Sequence, residues 1–194
     1  MLSQGIAGPR FEKPEEVVEW MGAMQAQDIR AAKWAVGLRI ANPSLTAVQE
    51  ALDTGRILRL HVMRPTWHYI PGRDIKWMTG LSTKGLLSKF RFYAKHFSLT
   101  EEDFLRSKPQ IEEVLSGQHL TSLEVLEQLH SKGIALDEPI VKMYLSFGEA
   151  DGTVCSGIEK NGKHTYALTC ERIPDAIELS HEEALAELTR RYFR

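Results

Sequence analysis

The chain is poor in cysteine and has no long apolar run. Its 194 residues include two cysteines, Cys155 and Cys170, which are too few for a disulfide framework or a four-cysteine metal site. No apolar run reaches the roughly 20 residues that a membrane-spanning helix needs. Residues 1–5 lack the basic and apolar regions that begin a secretory signal. We therefore expect a reducing, cytoplasmic setting and no membrane partner.

Metal-binding patterns are also missing. The seven histidines show no His-x-x-x-His spacing paired with a carboxylate, which is the kind of pattern that a zinc site requires. The sequence therefore predicts no metal centre.

Charge is unevenly distributed along the chain. Residues 54–100 contain nine basic residues and a single acid, Asp74, so this segment carries +8 and the remainder −10. Aromatic side chains recur within the same segment. Basic side chains neutralise phosphates and aromatic rings stack on unpaired bases, so the segment favours contact with nucleic acid. A solvated charged surface around core aromatics is the alternative interpretation.

The first 71 residues have the pattern of three helices followed by two strands. Residues 1–13 read as an irregular lead-in. Pro14 then begins a helix whose apolar residues recur up to Met24. Residues 31–38 form a second helix. The third, over 47–54, is predicted to start with a capping box of Thr46 and Gln49 and to close at Gly55.

Alternation over 58–63 predicts a half-buried strand, which Pro65 interrupts before a second strand over 66–70. This order is typical of a winged helix-turn-helix unit.

Two carboxamides follow the first helix. Gln25 and Gln27 would point about 200° apart in a continuous helix, whereas in an extended backbone they point the same way. A shared site therefore requires the helix to stop or bend near Met24. We expect the next residue, Asp28, to serve as a turn residue or ion-pair partner.

Residues 72–98 are predicted to form a basic helical linker with bends at Gly72, Gly80 and Gly85, and residues 99–179 a second winged-helix unit. Thr100 and Thr121 are expected helix caps in that unit, and a further helix covers about 139–150.

The Asn161-Gly162 pair predicts a hairpin turn between strands over 153–157 and 164–170. Its register places Cys155 opposite Leu168, which favours buried small side chains over a disulfide. A last helix begins at Ser180, and residues 180–194 read as a truncated element. The predicted fold is thus mainly α with small β-hairpin wings (α+β), as tandem winged-helix units.

Three stretches together resemble a known family. They are residues 24–39, beginning Met-Gln-Ala-Gln-Asp; residues 62–68, Val-Met-Arg-Pro-Thr-Trp-His; and residues 152–157 with 166–168. These stretches resemble the AlkZ-like (YcaQ-like) DNA glycosylases, winged-helix proteins that remove alkylated bases, including crosslinked ones. The resemblance covers nearly the whole chain. The family has three tandem winged helices, of which two can be placed here.

The resemblance implies a DNA-repair hydrolase acting on double-stranded DNA, alkylated or crosslinked, without a metal, another cofactor or a covalent intermediate. The family's catalytic Gln-apolar-Gln motif corresponds to Gln25 and Gln27. We expect Trp67 and Tyr69 to pack in the core. The residues expected to contact DNA are Arg64, Thr66, His68, Arg59, Lys89 and Arg91.

Two other functions remain open on the sequence. Winged helices often bind DNA without catalysis, and fold alone does not determine function. A protein-interaction domain is the third reading, since the net charge outside residues 54–100 is negative.

Overall fold

The computed structural model describes residues 5–6, 8 and 11–193. Most of the predicted lead-in at the N-terminus and the final Arg194 lie outside the described residues. Helices dominate, and the strands form two small antiparallel sheets. The predicted α+β fold with hairpin wings is confirmed.

The first unit contains three helices and a three-stranded sheet. Its elements in chain order are α1 (Pro14–Met21), β1 (Met24–Gln25), α2 (Ile29–Gly37), α3 (Leu45–Asp53), β2 (Ile57–His61) and β3 (Trp67–Pro71). The sheet order is β1-β3-β2, so β3 is central and β1 lies at one edge. A core that includes Val17, Val36, Val48 and Tyr69 joins the three helices to this sheet.

One long helix follows the first unit. A short 3-10 turn, Gly72–Asp74, leads into α4 (Ile75–Ala94). The predicted bends at Gly80 and Gly85 are wrong, because α4 is one helix of 20 residues. Each glycine lowers helix propensity by about 1 kcal/mol. Its effect is outweighed here by a buried face along the whole helix, which includes Ile75, Met78, Leu86 and Phe90.

The second unit repeats the plan of the first. Its elements are α5 (Glu101–Leu115), α6 (Ser122–Ser131), α7 (Glu138–Asp151), β4 (Val154–Ser156) and β5 (Tyr166–Leu168), followed by α8 (Thr169–Arg172) and α9 (His181–Tyr192). Leu120 pairs with Tyr166 of β5 through a single bridge, in the place that Met24 takes opposite Tyr69 of β3. Helices α7 and α9 both pack against α4.

The two units differ at one connection. In the second unit Leu120 is followed at once by Thr121, which caps α6. In the first unit Met24 is followed by Gln25, Ala26 and Gln27 before Asp28 caps α2. The carboxamide motif is thus a three-residue extension of this connection.

Most of the expected helix caps are observed. Thr100, Thr121 and Ser180 each accept a hydrogen bond from the third residue of the helix that follows. The capping box predicted for Thr46 and Gln49 is wrong. The hydroxyl of Ser44 accepts from the Ala47 N–H at 3.1 Å, and the helix starts at Leu45.

The wing of the second unit turns where the sequence predicted. Asn161 and Gly162 both have positive φ, as a tight hairpin turn requires. Cys155, however, pairs with Ala167 rather than Leu168, because residues 157–159 on one arm face only 164–165 on the other. Both cysteines are free, but Cys170 lies in α8 and is exposed, so its predicted burial is wrong. In the described part of the chain, no helix is both long and apolar enough to cross a membrane.

Candidate active site

The backbone of the carboxamide motif is extended. Helix α1 ends at Met21, and Gly22 takes a φ of 72° that allows the chain to turn away. Met24 then pairs with Tyr69 and Gln25 with His68, while the Ala26 N–H donates to the Trp67 carbonyl at 2.7 Å. The geometric condition for a shared site is therefore met, with the helix ending three residues before Met24.

Extension places the two carboxamides on one side of the segment. Gln25 and Gln27 are exposed, whereas Met24 before them and Ala26 between them are buried. Alternation of this kind is what an extended segment at a sheet edge produces.

Arg59 and Gln27 end the strand pairing just after Gln25. The Ala26 carbonyl, which would continue the ladder with Trp67, accepts instead from Arg59 Nε at 2.9 Å. The Trp67 N–H donates to the side-chain Oε1 of Gln27 at 3.3 Å. A backbone N–H can only donate, so this bond fixes which end of the Gln27 amide is oxygen and leaves its NH2 group outward. Gln27 is thus oriented by the sheet edge itself.

Arg59 lies behind the motif. Its guanidinium also donates to the Gln27 carbonyl at 3.3 Å and stands 4.1 Å from the centre of the Trp67 ring. Arg59 is only 8% exposed, and this burial lowers its pKa. These contacts make it a support of the motif, a role that sequence reasoning missed. Phosphate contact by Arg59 stays a prediction.

Asp28 caps the following helix. Its Oδ1 accepts from the Ala31 N–H at 2.9 Å at the start of α2. The expectation of a turn residue is confirmed in this form, and the cap fixes the chain direction directly after Gln27.

His68 lies opposite Gln25 and is 4% exposed. Its Nδ1 is 2.8 Å from the Thr66 carbonyl. Because a carbonyl oxygen only accepts, Nδ1 carries the hydrogen and Nε2 is left as an acceptor. Burial lowers the pKa of His68, and the charges of Arg64 and His61 act in the same direction, against the opposing bond to Thr66. The ring is therefore neutral at pH 7.

Pro65 lies in the turn between β2 and β3. The chain reverses there, so Arg64 lies outside the strand that contains His68. Arg64 is exposed in this turn, and Met63 takes a positive φ of 65°. DNA contacts by Arg64, Thr66 and His68 stay predictions.

The two aromatic residues of β3 pack against protein. Tyr69 is fully buried. The Trp67 ring is flanked by His61 at 4.2 Å and His164 at 4.5 Å between ring centres, besides Arg59. Core packing rather than base stacking is thus the observed state of both.

Several cations of the basic segment are paired with glutamates. Arg91, one of the predicted DNA contacts, donates to Glu101 at 2.6 Å. Within the described residues, Arg64, Lys84, Lys89 and Lys95 make no ion pair. Lys84 and Arg91 are spaced to share one exposed face of α4, and Lys95 directly follows the last residue of that helix. The described residues contain no cluster of His, Cys, Asp or Glu that could hold a metal ion.

A family model described as "DNA glycosylase AlkZ-like" matches residues 18–194, a range that includes both glutamines. The chain belongs to the AlkZ-like DNA glycosylase family. Among solved structures, Streptomyces sahachiroi DNA glycosylase AlkZ is similar, with a TM-score of 0.75 and 20% identity. That match covers 98% of this AlkZ-like chain and 54% of the Streptomyces protein, so the chain spans about half its length. The similarity shows the fold. No curated protein matches the chain.

Proposed function

We propose that this AlkZ-like protein hydrolyses the N-glycosidic bond of alkylated, positively charged bases in double-stranded DNA, with the attacking water held by Gln25 and Gln27. The observation that carries the proposal is the pair of exposed carboxamides on one side of an extended edge segment, one of them oriented by the Trp67 N–H. The family supports an action on DNA.

The chemistry suits a carboxamide pair. A neutral amide accepts and donates hydrogen bonds but is not a strong base near neutral pH. Holding a water is enough when the leaving group is already activated. A purine alkylated at N7 or N3 carries a positive charge, so its glycosidic bond breaks with little help. The site then has to place water near C1′ and tolerate an oxocarbenium-like sugar.

The unpaired cations supply a surface for the duplex. Arg64 lies in the turn directly beside β3. Lys84 and Lys89 lie on α4, and Lys95 directly follows that helix. Helix α4 packs against the same hairpin, where the Met63 N–H donates to the Ser82 hydroxyl. Phosphate neutralisation by such residues makes binding depend strongly on salt. Crosslinked bases fall within the same proposal, because a crosslink through N7 leaves the purine cationic.

A base-release assay tests the proposal. The substrate is a duplex oligonucleotide with one N7-methylguanine, and the variants are Gln25→Ala and Gln27→Ala. We expect each to lower the release rate by about 10- to 100-fold, somewhat below the loss typical of removing one preorganised transition-state donor. Gln128→Ala is the matched control, since Gln128 is a glutamine of α6 in the second unit that bonds to Gln118.

The outcomes of this assay distinguish a glycosylase from a non-catalytic DNA-binding module. Absence of release by the wild type would overturn the enzymatic proposal, and duplex binding without release would favour the non-catalytic DNA-binding module. Release that both variants retain would show that the water is held elsewhere.

A further inference from the structure

The register of the edge strand aligns two polar motifs. The Ala26 N–H donates to the Trp67 carbonyl, which makes these two residues a hydrogen-bonding position of the antiparallel pair. Gln25 and His68 are therefore a non-hydrogen-bonded pair, in which Cα atoms are about 4.5 Å apart and side chains share one face. Gln27 is tied to the next part of this segment, because its Oε1 accepts from the N–H of Trp67, the residue directly after Thr66. Both glutamines are thus tied to the 66–68 segment, Gln25 by its pairing with His68 and Gln27 by its bond to the Trp67 N–H.

The Thr66 hydroxyl has no hydrogen-bond partner among the residues that the structure describes, and its Oγ1 is buried. Buried polar atoms in proteins are nearly always satisfied, by water where protein groups are absent. An orphaned hydroxyl on the residue before Trp67, whose N–H holds the Gln27 side chain, is the environment that a bound water would complete.

His68 offers a proton acceptor on the same face. Its Nδ1–H is held by the Thr66 carbonyl, so the basic lone pair is on Nε2. The Arg64 side chain from the turn and His61 from β2 are the charged and titratable groups that act on it, and both oppose its protonation. A neutral imidazole with one nitrogen anchored is the arrangement of a general base.

We propose that His68 accepts the proton of the attacking water through Nε2 and that the Thr66 hydroxyl is a further anchor for that water. This inference rests on the proposed glycosylase function and adds the group that the carboxamides lack. The water oxygen forms a bond to C1′ while the C1′–N bond breaks. The bonding electron pair neutralises the cationic base, the water proton passes to His68 Nε2, and the imidazolium later returns it to solvent. The products are the free base and an abasic site.

A pH profile of base release tests the role of His68. The N7-methylguanine leaving group is already cationic, so its departure needs no added proton between pH 5 and 8. We expect the wild-type rate to fall tenfold per pH unit below the His68 pKa, which lies under the ordinary value of 6.5. His68→Asn keeps an N–H for the Thr66 carbonyl and lacks Nε2. Its rate should be at least 10-fold lower at pH 8 and independent of pH.

The matched control is His130→Asn, because His130 also bonds a backbone carbonyl, that of Leu136, but lies on α6 in the second unit. Its pH profile should equal that of the wild type. A wild-type profile that is flat, or a His68→Asn rate equal to that of the wild type, overturns the inference while leaving the glycosylase proposal intact. No release by the wild type overturns both.

Thr66→Val gives a second variant that does not depend on the stability of His68→Asn. Removing an unsatisfied buried hydroxyl in favour of a methyl group of the same shape should leave stability unchanged or higher. We expect the release rate to fall several-fold nonetheless. An unchanged rate contradicts the role of Thr66. Nitrogen NMR of the His68 ring provides a readout without substrate, and a hydrogen on Nε2 at pH 8 would overturn the inference.

Discussion

At the scale of single residues, Arg59 determines where the first strand ends. A guanidinium offers five donors in a fixed plane and stays charged even when burial lowers its pKa. Here two of these donors meet the carbonyls of Ala26 and Gln27, and the plane rests on Trp67. The strand ladder is thereby interrupted at the point where the Gln27 side chain replaces a backbone acceptor. A lysine at position 59 would have its donors on a single nitrogen and would lack the planar group that stacks on Trp67.

The two cysteines differ in reactivity for a similarly local reason. Burial raises the pKa of the Cys155 thiol to about 12, whereas Cys170 is exposed on α8. Because the thiolate is the reactive form, we expect iodoacetamide to label one thiol per native chain at pH 8. Mass mapping should place the label on Cys170. Cys170→Ser should abolish labelling until denaturant is added, and rapid labelling of Cys155 in the native protein would contradict the described packing.

At the scale of elements, the motif occupies the short connection between α1 and α2. That connection is anchored at one side by strand pairing with β3 and at the other by the Asp28 cap. Both anchors act on backbone atoms, so Gln25 and Gln27 remain exposed while their main chain is held.

The Asp28 cap can be separated from a chemical role by two substitutions. Asp28→Ala removes the acceptor for the Ala31 N–H and should lower the free energy of unfolding by about 1 kcal/mol. Asp28→Asn keeps an acceptor oxygen and should stay within a few tenths of the wild type. Urea unfolding with an unchanged m-value measures both. If Asp28→Asn were stable but lost base release, the carboxylate would have a part in the chemistry beyond capping.

Sequence reasoning succeeded where the signal is local. Thr100, Thr121 and Ser180 cap helices within three residues of themselves, and Asn161-Gly162 makes a turn by its own backbone preference. Sequence reasoning failed where contacts between residues far apart in the chain determine the local structure. The continuity of α4 depends on packing against α7 and α9, and the unpaired residue in the second wing moved Cys155 by one position.

The candidate site divides in the same way. The sequence predicted an extended backbone at Gln25 and Gln27, because two side chains that are two residues apart point the same way only in an extended segment. The support by Arg59 and the pairing of His68 with Gln25 depend on the register between β1 and β3. A two-residue strand has too little sequence to reveal its partner.

At the scale of the whole molecule, polar contacts join the two units. The Arg59 N–H donates to Ser156 Oγ at 2.9 Å, and Arg172 donates to the carbonyls of Leu52 and Asp53 at 2.7 and 3.0 Å. His61 Nδ1 lies 2.6 Å from the buried Glu149 carboxylate on α7. The β2–β3 hairpin, with which the motif pairs, is therefore held by the second unit as well as by its own.

His164 makes this junction sensitive to acid. Its Nε2 is buried and has no hydrogen-bond partner within residues 11–193. Burial lowers the pKa of His164 to about 3, and the charges of Arg59 and His61 act in the same direction. In the unfolded chain the His164 pKa is near 6.5, so between pH 6.5 and pH 3 the unfolded state binds more protons than the folded state. The contribution of His164 to the free energy of unfolding is therefore complete above pH 6.5 and is lost as the pH falls toward 3. The slope approaches about 1.4 kcal/mol per pH unit.

His164→Phe should remove this contribution while keeping an aromatic ring beside Trp67 and Tyr166. We expect the difference in unfolding free energy between wild type and variant to change by more than about 1 kcal/mol from pH 7 to pH 5. Urea unfolding at several pH values measures it, and other titrating groups cancel in the difference. A constant difference would show that His164 is protonated without hindrance in the folded chain.

The three-residue extension between Met24 and Asp28 has a consequence for how such sites arise and are recognised. A winged helix whose first strand leads directly into its second helix, as Leu120 leads to Thr121 here, has no backbone on which to place two side chains over the sheet edge. The pair of exposed carboxamides is therefore an addition to the element order that the two halves of the chain share. The length of this one connection gives a simple criterion for asking which winged-helix units are built to carry the pair and which are limited to binding.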